Sequence, residues 1–106
     1  MDIEIVEFYA MERNDEKQIL KGSLHVYLPK IDADLRGVIV RKKKDSWFFG
    51  LPTLFGIDPD TGKKVRFPVF TFVSREKTDE LKKLIIEKGK EYIIKNILKP
   101  KPKKQS

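Results

Sequence analysis

Between Leu20 and Leu28 the chain alternates with period two. Leu20, Gly22, Leu24, Val26 and Leu28 fall on one side of an extended backbone, and Lys21, Ser23, His25 and Tyr27 on the other. A helix would scatter these leucines around its axis, so the segment reads as a strand with one face in a core. A sheet with one apolar face needs a cover, and the rest of the chain must supply it.

The flanking segments read as further strands. Ile3, Ile5 and Phe8, with Val6, make a short first strand, and the polar run over residues 11–18 reads as a loop. Pro29 and Asp32 mark a turn. Leu35 to Val40 continues as a third strand, Arg41-Lys42-Lys43-Lys44-Asp45-Ser46 reads as a hairpin tip, and Trp47 to Leu51 as a fourth strand ended by Pro52. Asp58-Pro59-Asp60-Thr61-Gly62 carries the chemistry of a tight turn, with Pro setting φ and Gly allowing φ > 0. Residues 65–73 read as a fifth strand, with Val65, Phe67, Val69, Thr71 and Val73 on one face and Arg66, Pro68, Phe70 and Phe72 on the other. Pro68 donates no ladder hydrogen bond, which points to an edge or a bulge.

The cover follows. Ser74 is placed to cap a helix, Thr78 competes one turn later, and Glu76, Asp79 and Glu80 complement the dipole of the first turn. Leu81, Leu84, Ile85, Tyr92, Ile93 and Ile97 recur at helical spacing and form one stripe. Gly89 interrupts it, as a close approach to the sheet or as a kink. The expected fold is α+β: an antiparallel sheet of about five strands with one C-terminal helix, over residues 74–98, packed on one face. Residues 1–98 form a single domain, and the Lys/Pro run over residues 99–106 is expected to be disordered.

Composition narrows the function. The 106 residues suffice for one core, and with no cysteine there is no disulfide, thiolate metal site or cysteine nucleophile. Met1-Asp2-Ile3-Glu4 does not open a signal peptide, and no apolar run approaches the ~20 residues of a membrane helix, so a soluble cytoplasmic protein is expected. Residues 1–34 hold eight acids and four bases, and residues 35–106 eight acids and nineteen bases, so the net charge of +7 is concentrated in the second part. Such a field attracts polyanions, or it merely solubilises.

Catalysis finds little footing. His25, the one histidine, lies mid-strand, where a solvated or hydrogen-bonded role is the ordinary one. A zinc site needs about four ligands, which one His without Cys does not supply. Asp58, Asp60 and Gly62 resemble the start of a calcium loop, but Pro59 and the missing terminal Glu make a plain turn the better reading. Asp32 and Asp34, two apart, form a carboxylate pair, with turn chemistry the simpler account of Asp32. Neither a phosphate loop nor a nucleophile elbow is present. No enzyme activity, metal or cofactor is expected.

The segment from Arg41 to Phe49 joins four cations to three aromatics. Cations neutralise phosphates with release of counterions, and aromatic faces stack unpaired bases. Trp47, Phe48 and Phe49 cannot all face one way. Either they fill the core or one face is an aromatic platform. Lys63, Lys64 and Arg66 form a second basic group after the turn, and five lysines from Lys95 to Lys104 form a third. The candidate nucleic-acid contacts are Arg41, Lys42, Lys43, Lys44, Trp47, Lys63, Lys64 and Arg66.

The run from Leu24 to the start of the helix resembles the SpoVG family of small bacterial nucleic-acid-binding regulators. Leu35-Arg36-Gly37-Val38-Ile39-Val40 is similar to that family's basic and apolar strand. Trp47-Phe48-Phe49-Gly50-Leu51-Pro52 resembles its aromatic strand ending in a Met-Pro step, Asp60-Thr61-Gly62 its Asp-Gly turn, and Phe67-Pro68-Val69 its apolar-Pro-apolar step. The likeness covers roughly half the chain and rests mostly on apolar residues, Gly and Pro. The family's Ser-Lys-Arg-Thr type segment is replaced here by Thr53-Leu54-Phe55, without a cation, and Lys63, Lys64 and Arg66 are the cations placed to compensate. The resemblance implies nucleic-acid binding and a homodimer formed by sheet pairing. A weaker likeness, of fold alone, is to Whirly-type single-strand binders. The expected function is sequence-tolerant binding of DNA or RNA, single-stranded or duplex, by a homodimer. The rival is a protein-interaction module whose lysines only provide solubility.

Overall fold

The computed structural model describes residues 1–98; the disorder expected over residues 99–106 lies outside the described residues. Four strands, β1 (Glu4–Asn14), β2 (Ile19–Leu28), β3 (Ala33–Lys43) and β4 (Ser46–Gly50), form an antiparallel meander in the order β1-β2-β3-β4. A short 3₁₀ turn, Pro29–Ile31, joins β2 to β3. Two more strands, β5 (Thr53–Ile57) and β6 (Lys64–Pro68), pair only with each other, and α1 (Arg75–Asn96) closes the chain. The α+β class with one covering helix is as expected, with six strands divided between two sheets.

The alternation of β2 sets the core. Leu20, Leu24, Val26 and Leu28 are buried, and they meet Phe8, Leu35, Val38 and Val40 from the neighbouring strands. Leu35 and Val38 are three positions apart, which alternation alone would put on opposite faces. The ladder slips between Leu24 and Val26, and Gly37 at φ +83° takes up the extra residue, so both side chains reach the core. Two similar slips in β1 fall between Ile5 and Glu7 and between Ala10 and Glu12.

The helix begins where its cap predicts. Ser74 accepts from the Lys77 amide at 3.3 Å. Thr78 does not cap; its buried hydroxyl accepts from the Phe72 amide at 3.0 Å, tying the incoming chain to the first turn. The buried seam is Thr78, Leu81, Ile85, Gly89 and Ile93. A methyl built on Gly89 would lie 2.8 Å from the Phe49 ring and 3.1 Å from Leu24, so Gly89 marks close helix–sheet approach. Each fully buried aliphatic side chain contributes roughly 1.5–3 kcal/mol of transfer free energy.

Three local expectations are corrected, and one segment without an expectation proves to be a strand. Residues 11–14 extend β1 and are not loop, because a strand at the sheet edge needs only its backbone paired and tolerates polar side chains on both sides. The basic hairpin turns at Lys44 and Asp45 alone; Arg41, Lys42 and Lys43 are ladder residues opposite Phe48, Trp47 and Ser46. Residues 53–57, an apolar run between Pro52 and the Asp58 turn, form β5. The strand expected over residues 65–73 ends at Pro68, where the Val69 amide bonds the Pro52 carbonyl at 2.9 Å and the chain turns back to pack Phe70 and Phe72 against the core.

Candidate nucleic-acid interface

The helix covers one face of the four-stranded sheet, and among the described residues no element covers the other. Alternation along β3 sends Arg41 and Lys43 to the open face and Lys42 to the helix face. Along β4 it sends Phe48 to the open face and Trp47 and Phe49 to the helix face, where both pack against the core. Register then builds rows across the sheet: Arg41 lies between Lys21 and Phe48 in one, and Lys43 between Ile19 and Ser46 in the next. The two rows, together with Leu20, Lys42 and Trp47 of the same strands, line a shallow groove of about 300 Å³. Glu12, opposite Lys21, is the one acid among its described lining residues.

The Arg41 guanidinium carbon sits 5.7 Å from the centre of the Phe48 ring. Phe48 is 53% exposed, and the ring leans over Gly50, where an added methyl would meet two of its atoms at 3.1 and 3.2 Å. Trp47 is placed differently. Its ring stacks on Phe49 with centroids 5.8 Å apart and planes 14° apart. Lys42 Nζ lies 5.6 Å and Lys90 Nζ 6.0 Å from the Trp47 centroid. Lys42 also donates to the Lys44 carbonyl, tying its ammonium to the turn.

The candidate residues therefore divide. Arg41 and Lys43 share the open face, Lys42 and Trp47 the helix face, and Lys44 lies in the turn, with φ +56°. Lys63, Lys64 and Arg66 belong to the separate β5–β6 hairpin, with Arg66 4.8 Å over the Phe55 ring. Lys21, Phe48 and Ile19 join the open-face group without having been singled out as contacts. Lys21 falls on the polar side of the β2 alternation, but only the register puts it beside Arg41.

The opposite end of the open face is acidic. Glu4, Tyr27 and Asp34 are cross-strand neighbours there. Tyr27 donates to Asp32 at 2.7 Å, and this hydrogen bond to a carboxylate, above all, raises the phenol pKa from its ordinary value. His25, buried, has Nε2 2.9 Å from Asp34 Oδ1, the hydrogen-bonded role expected of it. Among the described residues no three His, Cys, Asp or Glu side chains gather as a metal site. Asp58 accepts from the Asp60 amide at 2.8 Å, and its carbonyl from the Gly62 amide at 2.8 Å, so these residues serve the turn. No described helix is long and apolar enough to cross a membrane.

The β5–β6 hairpin is the other conspicuous surface. Leu54, Gly56, Val65 and Phe67 share one of its faces, all apolar, and the Phe67 ring lies over Gly56. Leu54, Phe55, Ile57 and Phe67 are exposed. No protein-family model, curated protein or solved structure matches the chain.

Proposed function

We propose that this chain is a non-enzymatic nucleic-acid-binding protein that holds phosphates with the cations at the Lys43 end of its open sheet face. The observation that carries the reading is the in-register grouping of Lys21, Arg41 and Lys43 around one groove, with Glu12 as its single acid. Clustered cations on an open face attract a polyanion and release its counterions on contact. The net charge of +7 steers in the same direction. The resemblance to the SpoVG family supports the same reading and would make the chain a regulator. The test is titration with single-stranded and duplex oligonucleotides at two salt concentrations. Binding that weakens as salt rises is expected, and no binding at low salt would remove the reading.

A homodimer belongs to this proposal. A two-stranded hairpin is marginal in water by itself, and β5 and β6 carry an apolar face that no other described element covers. A second copy supplies an identical face, which a two-fold axis pairs with the first. The same hairpin favours the rival reading, a protein-interaction module. The rival takes over if the chain sediments as a monomer and binds no oligonucleotide.

A further inference from the structure

We infer that the open-face groove takes single-stranded rather than duplex nucleic acid, with the Phe48 ring as its base-stacking platform. This rests on the nucleic-acid reading above and adds the class of ligand. Three observations carry it.

The first is the chemistry of the groove. Its lining joins the cations Lys21, Arg41 and Lys43 to the apolar side chains Ile19, Leu20, Trp47 and Phe48. A duplex keeps its base faces stacked inside and offers mainly phosphate and groove edges, so an apolar floor contributes less to its binding than to a single strand's. A single strand presents base faces, and every base can stack on an aromatic ring. Cations beside an exposed ring suit a ligand with a charged backbone and flat apolar groups.

The second is the placement of the ring. Phe48 stands on the open face among the cations, and Gly50 leaves the space into which it leans. With any other residue at position 50 the ring would have to shift by about a few tenths of an ångström. Trp47, the larger aromatic, is turned away to the helix face, with Phe49 stacked on it. The Arg41 guanidinium beside Phe48 adds a second flat cationic surface on the same face.

The third is the charge gradient. Glu4, Asp32 and Asp34 occupy the far end of the open face and repel a phosphate chain. The ligand is thus confined to the Lys43 end, across β2, β3 and β4. The shared chemistry is an unpaired base with its phosphate, in DNA or in RNA.

The experiment uses the full chain with three probes: a thymidine 12-mer, a uridine 12-mer and a 12-base-pair blunt DNA duplex, at low and moderate salt. Both single strands are expected to bind more tightly than the duplex; a difference between them would tell which is the better ligand. Phe48→Ala and Phe48→Leu are expected to weaken single-strand binding by about fivefold to 150-fold, the loss of one stacked base, and to leave duplex binding unchanged. Phe48 is exposed, so both variants should unfold at the wild-type temperature; if the alanine variant does not, the leucine variant decides. Equal affinity for duplex and single strand, or the same loss for both on changing Phe48, would overturn the inference and leave phosphate binding standing. Absence of binding to all three probes at low salt would overturn both.

Discussion

Gly89 of α1 and Phe49 of β4 are in direct contact, so closely that a methyl on Gly89 would sit 2.8 Å from the ring. Phe49 in turn stacks on Trp47, so the seating of the helix is coupled to the strand that carries Phe48 on its opposite face. In an exposed helix interior, Gly→Ala would stabilise by roughly 1 kcal/mol. Here the added carbon overpacks the interface, at about 1–3 kcal/mol. Gly89→Ala should therefore lower stability in urea unfolding followed by Trp47 fluorescence. A rise would mean that the helix stands off the sheet.

Gly37 is a backbone requirement. At φ +83° an L-residue is strained, while the space beside it is ordinary, with the Pro52 Cβ 3.6 Å away from a built methyl. Gly37→Ala should cost about 1–2 kcal/mol, and Gly37→Asn less, because Asn tolerates left-handed backbone. Equal losses for the two variants in chemical denaturation would point to packing as the cause.

Arg41 and Lys42 are adjacent in sequence and face opposite ways. Arg41→Ala should weaken binding to every oligonucleotide, single strands most, and reduce the slope of log affinity against log salt by about 0.7 for single strands. Lys42→Ala should leave both nearly unchanged. Filter binding across a salt series reads the difference, and equal effects would show that the helix face takes part.

Trp47 is half-buried against the core, so Trp47→Ala should act on the fold. A fully buried aromatic loses roughly 3–5 kcal/mol on truncation, and the partial exposure of Trp47 puts its cost at about 2–4 kcal/mol. Circular dichroism during urea unfolding measures it. An unchanged midpoint together with lost single-strand binding would make Trp47 the stacking residue.

The apolar face of the β5–β6 hairpin should hold two copies of the chain together. Leu54→Glu with Phe67→Glu puts charge on the apolar face of β5 and β6. Sedimentation should give a dimer for the wild type at micromolar concentration and a monomer for the double variant. A wild-type monomer would refute the dimer.

The division between local and tertiary information runs through particular residues. The β2 alternation was legible because period-two burial is written into consecutive positions, and Leu20, Leu24, Val26 and Leu28 are buried as it requires. Ser74 was legible as a cap because capping involves only the first helical turn. The aromatic triplet gave its alternation but not its orientation, because which face the helix covers is a long-range matter; covering Trp47 and Phe49 leaves Phe48 open. Lys21 was invisible as a neighbour of Arg41 because strand register depends on turns and slips, including the one at Gly37. The polar residues 11–14 show the converse limit. Their side chains give no strand signal, yet hydrogen bonding to β2 holds their backbone in the ladder, and backbone pairing across an edge needs nothing from the side chains.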